Sequence, residues 1–354
     1  MCGIVCAIAQ REVREILLEG LKRLEYRGYD SAGMAIVSPE RNQLQLIRSI
    51  GKVAELVNAT KRSKATGRIG LAHTRWATHG RPTKANAHPH VSCNEIAVVH
   101  NGIIENYESL RSDLKKRGYK FTSDTDTEVI SHFIHYYVSQ TKVSLLQAVK
   151  KVTKNLQGAY GLCALDKKNP NQIVAARSGS PLIIGVGIGE NFVASDPLAL
   201  GQVTDRFIYL EEGDIASISL DEVSIWNKSR RVERTVTTIP HNRSASDKGK
   251  FQHFMLKEIY EQPTSIRETL TGRISKTKVL EQAFGLNAEK IFKRVRHVQI
   301  VACGTSYHAG LIAKYWLESV AKLPCQVDIA SDYRYRSIVS QPGTLFVTIS
   351  QSGE

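Results

Sequence analysis

The sequence lacks any run of about 18 apolar residues, the length a membrane-crossing helix needs, so no membrane partner is expected. Its opening, MCGIVCAIAQ, has neither the basic start nor the length of a secretory signal, and the cytoplasm is the expected compartment. Cysteine is sparse: Cys2, Cys6, Cys93, Cys163, Cys303 and Cys325 form no C-x-x-C pair, which argues against a disulfide scaffold and for reduced thiols. Zinc-type spacing and an H-E-x-x-H helix are also missing. Although His73, His79, His88, His90 and His100 crowd one stretch, no metal is expected. Acidic residues are outnumbered, 34 Asp plus Glu against 48 Lys plus Arg, for a formal charge of +14. The basic groups (KRSK, KKRG, KSRRVER) are dispersed, without a recognition helix or interleaved aromatics, so no nucleic-acid partner is expected. Attraction of small anionic substrates is the simpler use of that charge.

What is present is a 354-residue chain, 42% hydrophobic, long enough for two domains with real cores. Through residue 240, two or three amphipathic helices stand among many strands. VREILLEGLKRLE repeats apolar residues at Val13, Ile16, Leu17, Leu21 and Leu24. Val129, Ile130, Phe133, Ile134 and Tyr137 form a second stripe behind SDTDTE, and SLLQAVKKVTKNLQG predicts a helix from a capping serine to Gly158. GLAHTRW, IAVVHNG, AYGLCALD, QIVAARSG, PLIIGVG, NFVASD, FIYLEEGD and EVSIWN predict strands. A regular βα rhythm is absent here. The pattern therefore predicts packed, mainly antiparallel sheets with outer helices, an α+β domain over 2–240.

Residues 241–250 are polar and without periodicity, a predicted linker. From Phe251 to Glu354 the texture changes to helix (KEIYEQPTSIRETL), strand (HVQIVA), small-residue loop (CGTS), helix (YHAGLIAKYWLESVAK) and strands (CQVDIA, TLFVTIS). This is an α/β unit whose crossovers are unfinished at SQSGE. Such a unit is a poor independent domain, so the chain is expected to be a fragment of a longer polypeptide.

Cys2 is the first chemical candidate. A thiol with an ordinary pKa of about 8.5 needs a base at neutral pH. If Met1 is removed, the freed α-amine, titrating at about 7.7–8.0, sits on the same residue. Arg75, Trp76, Thr78 and His79 in HTRWATHG lie between two predicted strands and suit a small anionic group such as an α-carboxylate, which arginine can hold bidentately. Asn101 and Gly102 end a strand. Alone they signal a turn, but a side-chain amide beside a backbone N–H can also make an oxyanion hole. Asp124 and Asp126 precede a helix, where capping is the ordinary role and an ammonium partner the other. Arg27 and Gly28 form a turn that could lean on the chain start. GVGIGEN lacks the spacing and the helix of a nucleotide loop and predicts a strand turn.

Taken in order, MCGIV, LEYRGYDSAG, HTRWATHG, NAHPH, HNGIIEN and SDTDTE resemble the glutaminase domain of the type 2 glutamine amidotransferases, which are N-terminal-nucleophile hydrolases. ARSGSPL, FVASD, EEGD, KEIYEQP, ACGTSYHAG and SQSGE extend the resemblance, over essentially the whole chain, to members carrying a sugar isomerase (SIS) domain. It implies an αββα sandwich over 2–240 followed by an incomplete doubly wound α/β SIS domain over 251–354. It further implies Cys2 as nucleophile with its own α-amine as base, Asn101 and Gly102 as oxyanion hole, and Arg75, Trp76, Thr78, His79 and Asp126 around glutamine. Arg27 and Gly28 would order that site.

In the SIS part, Cys303, Gly304, Thr305, Ser306, Ser350, Gln351 and Ser352 match the loops that hold the phosphate of fructose 6-phosphate, presenting helix N-termini at strand ends. The implied partners are glutamine and fructose 6-phosphate, with no cofactor, and a homodimer in the full-length form. Cys6 stands where the family is expected to have glycine. Alternation puts it on the face of Cys2 if the strand is regular, where it could crowd the strand or pair with Cys2 on oxidation. A non-catalytic sugar-phosphate sensor would have lost Cys2, Arg75 or Asn101, and all three are present.

Overall fold

Alternating apolar runs between Gly, Asp and Asn turns form strands, and the amphipathic runs form helices. The computed structural model describes every residue except 1, 26–28, 39–42, 64, 77–80, 240–250, 271–272, 275–278, 280, 285–287 and 351–354. The chain opens with β1 (Gly3–Ala9), α1 (Arg14–Leu24), β2 (Ser31–Ser38), β3 (Gln43–Ile50), α2 (Val53–Ser63), β4 (Ile69–Arg75), β5 (His90–Ser92) and β6 (Ile96–Ile104). Three helices come after them, α3 (Tyr107–Lys116), α4 (Glu128–Gln140) and α5 (Leu145–Thr153). Next come β7 (Gly158–Asp166), β8 (Asn169–Ser178), β9 (Ile183–Val186), β10 (Glu190–Ala194), β11 (Arg206–Tyr209) and β12 (Asp214–Ile218). β13 (Val223–Asn227), β14 (Arg230–Val232), β15 (Val236–Thr238) and α6 (Phe254–Leu270) lead to the last part. That part is α7 (Ala288–Phe292), β16 (His297–Ala302), α8 (Gly304–Ser319), β17 (Cys325–Ile329), α9 (Ala330–Tyr335) and β18 (Thr344–Ile349). Among the described residues no helix is long and apolar enough to cross a membrane.

The residues divide into two compact units, Met1–Leu286 and Asn287–Glu354. The first has an eight-stranded sheet, β15-β11-β9-β10-β1-β4-β2-β3, and a seven-stranded one, β14-β13-β12-β8-β7-β6-β5. Three apolar layers hold them. Val5, Ala7 and Ala9 of β1 pack against Leu17 and Leu21 of α1 and Leu56 of α2 on the outer side of the larger sheet. Ile4, Cys6 and Ile8, one residue out of phase, pack against Ala97, Val99, Cys163 and Leu165 between the sheets. Val98, Leu162 and Ala164 on the far side meet Ile130, Ile134 and Val149 of α4 and α5. The result is the expected αββα sandwich, because period-2 alternation lets each central strand feed two cores at once.

The second unit is a parallel sheet ordered β17-β16-β18, with a core around Val298, Ile300 and Cys325. Its strands are joined through α8 and α9, the start of a doubly wound arrangement.

Several expectations change. The first unit has α2 and α3 beyond the predicted helices; α3 fully buries only Leu114, so its apolar stripe is too thin to read. FIYLEEGD is not one strand: it breaks after Tyr209, and Gly213, at φ +80°, turns the chain into β12. Gly158, at φ +110°, opens β7, and the preceding helix ends at Thr153. The contact division falls after Leu286, not at 251, so α6 counts with the first unit and the second begins where its own core can close. The predicted linker 241–250 lies outside the described residues.

Candidate active site

At one end of the sandwich the inward faces of three strands change from apolar to polar. On β1 the series Ile8, Cys6, Ile4 continues to Cys2; on β4, Ile69 and Leu71 continue to His73 and Arg75; on β6, Ala97 and Val99 continue to Asn101. β1 and β4 are antiparallel, with Ile4 opposite His73 and Gly3 opposite Thr74, so the start of one strand meets the end of the other. Cys2 is half-buried. Its Sγ accepts a hydrogen bond from the Trp76 N–H at 3.2 Å. Burial pushes the Cys2 thiol above its ordinary pKa, against the pull of the Trp76 hydrogen bond and the positive charge of Arg75. At rest it is a thiol that needs a base.

Asn101 is 9% exposed and its Nδ2 donates to the Cys2 carbonyl at 3.1 Å. Gly102 has φ +128°, and a Cβ there would stand 2.0 Å from the Ala159 carbonyl oxygen of the neighbouring strand, so only glycine fits. Arg75 is buried at the end of β4, with its Nη1 3.7 Å from Asp30 Oδ1. Asp126 does not cap α4. Its carboxylate accepts the Ile104 N–H at 2.8 Å, which ties it to β6 two residues beyond Gly102. The loop before it is held by Glu128, whose oxygens accept from the amides and hydroxyls of Thr122 and Ser123 at 2.7–3.2 Å. Burial alone would raise the Glu128 pKa, but His132, 3.6 Å away, and the hydrogen bonds from Ser123 and Thr122 hold it well below the usual carboxylate range.

The structure thus brings Cys2, Arg75, Asn101, Gly102 and Asp126 to one end of the first unit. Trp76 stands there with 53% of its surface exposed. Arg27, Gly28, Thr78 and His79 lie outside the described residues. Of the clustered histidines, His73, His88 and His90 stack edge to face, at 4.1 and 4.8 Å between ring centroids, inside the domain. Cys6 is fully buried. Burial and the neighbouring Cys163 thiol raise its pKa well above the ordinary value, so its thiol neighbour lies on the other sheet. Cys2 is four residues away along an extended strand, about 13 Å, too far to bridge. Sequence reasoning missed Ser195, whose Oγ accepts the Ile4 N–H at 3.1 Å and anchors the start of β1, and it missed Asp30 beside Arg75. Neither carries a local signal, since both act across 45 to 191 residues of chain.

In the second unit Ala302 pairs with Ile349, so Cys303 and Ser350 come directly after the ends of adjacent parallel strands. β16 lies between β17 and β18, so the chain passes from β16 to β17 on one side and then crosses to β18 on the other, and the ends of β16 and β18 flank a topological switch point. Cys303 is extended, Gly304 has φ +57°, and Gly304, Thr305 and Ser306 form the first turn of α8 rather than a loop. Gln351 and Ser352 lie outside the described residues.

A family model described as a glutamine amidotransferase domain matches residues 73–202, and a SIS domain model matches residues 291–354. The chain thus carries a glutamine amidotransferase domain followed along the sequence by a SIS domain. It is 60% identical to a glutamine–fructose-6-phosphate aminotransferase (isomerizing) of Pseudomonas putida and 59% identical to that of Idiomarina loihiensis, each over 355 aligned residues and its whole length. It spans 58% of the length of each of these relatives. Among solved structures, a glutamine phosphoribosylpyrophosphate amidotransferase of B. subtilis superposes with a TM-score of 0.57 at 20% identity, covering 92% of this chain and 65% of the other. This likeness shows the amidotransferase fold.

Proposed function

We propose that this chain hydrolyses glutamine to glutamate and ammonia at Cys2, and that the full-length protein transfers the ammonia to fructose 6-phosphate to make glucosamine 6-phosphate. The observation that carries the first half is the convergence of Cys2, the Asn101 amide, Gly102, Arg75 and Asp126 at one end of the sandwich. With Met1 removed, the Cys2 α-amine takes the thiol proton and Sγ attacks the side-chain amide carbon of glutamine. The tetrahedral oxygen is received by Asn101 Nδ2 and the Gly102 N–H. Collapse breaks the C–N bond, the amine returns its proton to the departing ammonia, and a γ-glutamyl thioester remains for water to hydrolyse.

Arg75, with Thr78 and His79, holds the α-carboxylate and Asp126 the α-ammonium. Trp76 covers the site and Arg27 and Gly28 order it. For the second half, the support is the whole-length similarity to the aminotransferases and the pair of strand ends in the SIS domain. There the amides and hydroxyls of Cys303, Gly304, Thr305, Ser306, Ser350, Gln351 and Ser352 would hold the sugar phosphate.

The test is mass spectrometry of the protein incubated with glutamine and fructose 6-phosphate, reading glutamate and glucosamine 6-phosphate together. Glutamate is the expected product of this chain. Its absence, from protein whose intact mass shows Met1 removed, would refute Cys2 as an N-terminal nucleophile. For the full-length form, glutamate without the amino sugar would refute the transfer step.

A further inference from the structure

An oxyanion hole built on an asparagine has a weakness: the side-chain amide has two nearly isosteric ends, and only the NH2 end can stabilise a developing negative charge. Some neighbour must decide which end faces the nucleophile. On the side of Asn101 away from Cys2 stands His73, fully buried on β4, on the other sheet. Its Nε2 lies 3.0 Å from Asn101 Oδ1 and 3.1 Å from the backbone carbonyl oxygen of His100.

The carbonyl settles the direction of these bonds, since it can only accept. His73 Nε2 must therefore carry the proton, and the group it faces on Asn101 must be the amide oxygen. That leaves Nδ2 pointing the other way, where the Cys2 carbonyl accepts from it at 3.1 Å. The opposite amide orientation would set two N–H groups against each other at His73 and two oxygens against each other at Cys2. Burial also keeps the His73 imidazole neutral, with its pKa lowered to about 3, so this arrangement holds across the working pH range. The other ring nitrogen, Nδ1, has no hydrogen-bond partner, so nothing at that end holds a second proton.

From this geometry we infer that His73 is a positioning residue for catalysis: one shared Nε2–H, spanning the two sheets, holds the Asn101 amide with its NH2 end toward the nucleophile. The inference rests on the oxyanion reading of Asn101. It assigns His73 no proton transfer, because its protonated nitrogen faces two acceptors and it remains neutral.

The test is a double-mutant cycle on the full chain, following glutamate release. Asn101→Ala is expected to lower kcat about 100-fold or more. His73→Phe, which keeps the ring and removes the donor, is expected to lower kcat about 10-fold to 100-fold, with the KM for glutamine changed less than about twofold. His73→Gln, which restores an N–H donor, should recover part of the loss. The double variant H73F/N101A should be no slower than N101A alone, since both remove the same interaction.

Losses that multiply in the double variant, or an H73F effect confined to KM, would overturn the inference while leaving the oxyanion hole standing. An unchanged kcat in N101A would overturn both. If H73F fails to fold, nitrogen NMR of the unaltered protein decides: the inference requires the Nε2–H tautomer of a neutral His73 from pH 5 to pH 8, and an Nδ1–H tautomer would refute it.

Discussion

The two candidate sites are built in opposite ways. In the first unit the groups that converge are side chains, buried and oriented by one another: Arg75 by Asp30, Asn101 by His73, Asp126 by the Ile104 amide. Each comes from a different element, and the site exists only because two sheets face each other. In the SIS unit the site consists of chain direction and strand order. Parallel β16 and β18 end side by side, and just beyond them stand an exposed Cys303 and Ser350 with the amides of a helix start. Acyl chemistry needs charge stabilised within a few tenths of an ångström, which a web of mutual hydrogen bonds supplies. A phosphate needs only several N–H and O–H donors in a concave turn, which any well-placed helix start offers.

That contrast can be broken from either side. The largest expected effect is at Cys2: Cys2→Ala should reduce glutamate formation to background, because it removes the proposed nucleophile, and measurable turnover would dissolve the first site. Arg75→Ala is expected next, raising the KM for glutamine about 10-fold to 100-fold with a smaller change in kcat, as for a charge-assisted clamp used equally in ground and transition states. Initial-rate kinetics with glutamine separate the two parameters.

Acid should then act on the first unit as a whole. His73, His88, His90 and His100 are all held neutral by burial, with pKa values below the ordinary 6.5. Each takes up a proton on unfolding once the pH is below about 6.5, so stability is full above that pH and falls toward the folded values. For His73, with a folded pKa of about 3, the loss at pH 5 is about 2 kcal/mol. Glu128 adds to it below about pH 4.5, where its unfolded carboxyl protonates first. Melting temperatures at pH 7.5, 6 and 5 should decline stepwise, and a flat profile would contradict this burial. The smallest effect belongs to the SIS unit: Ser350→Ala in the full-length form should weaken fructose 6-phosphate about fivefold, the value of one neutral hydrogen bond, and leave glutamine hydrolysis unchanged. A much larger loss would mean that this site, too, depends on single side chains.

Much of the first site was legible because alternation along a strand is local. Ile69, Leu71, His73 and Arg75 share a face, as do Ala97, Val99 and Asn101, and the switch from apolar to polar marks where the sandwich opens. The motif order supplied the same residues independently. Less legible were α3, whose polar surface hides its period, and the break between β11 and β12, where Gly213 permits a turn inside what reads as one strand. Histidine was the least legible type. His73 reads as one of five candidate ligands, whereas its partner Asn101 stands 28 residues away on another sheet.

By itself, then, the sequence determined packed antiparallel sheets with outer helices and the α/β character of the C-terminal unit, since these depend on period and turn chemistry, while the αββα class and the residues proposed for both sites came from motifs shared with a known family. The tertiary structure decided which groups orient which. His73 became a donor to Asn101, Cys6 a neighbour of Cys163, and Asp126 a partner of Ile104 rather than a helix cap. The physical reason is that a buried polar group is satisfied by whatever packing brings within about 3 Å, and packing joins residues that no local pattern connects.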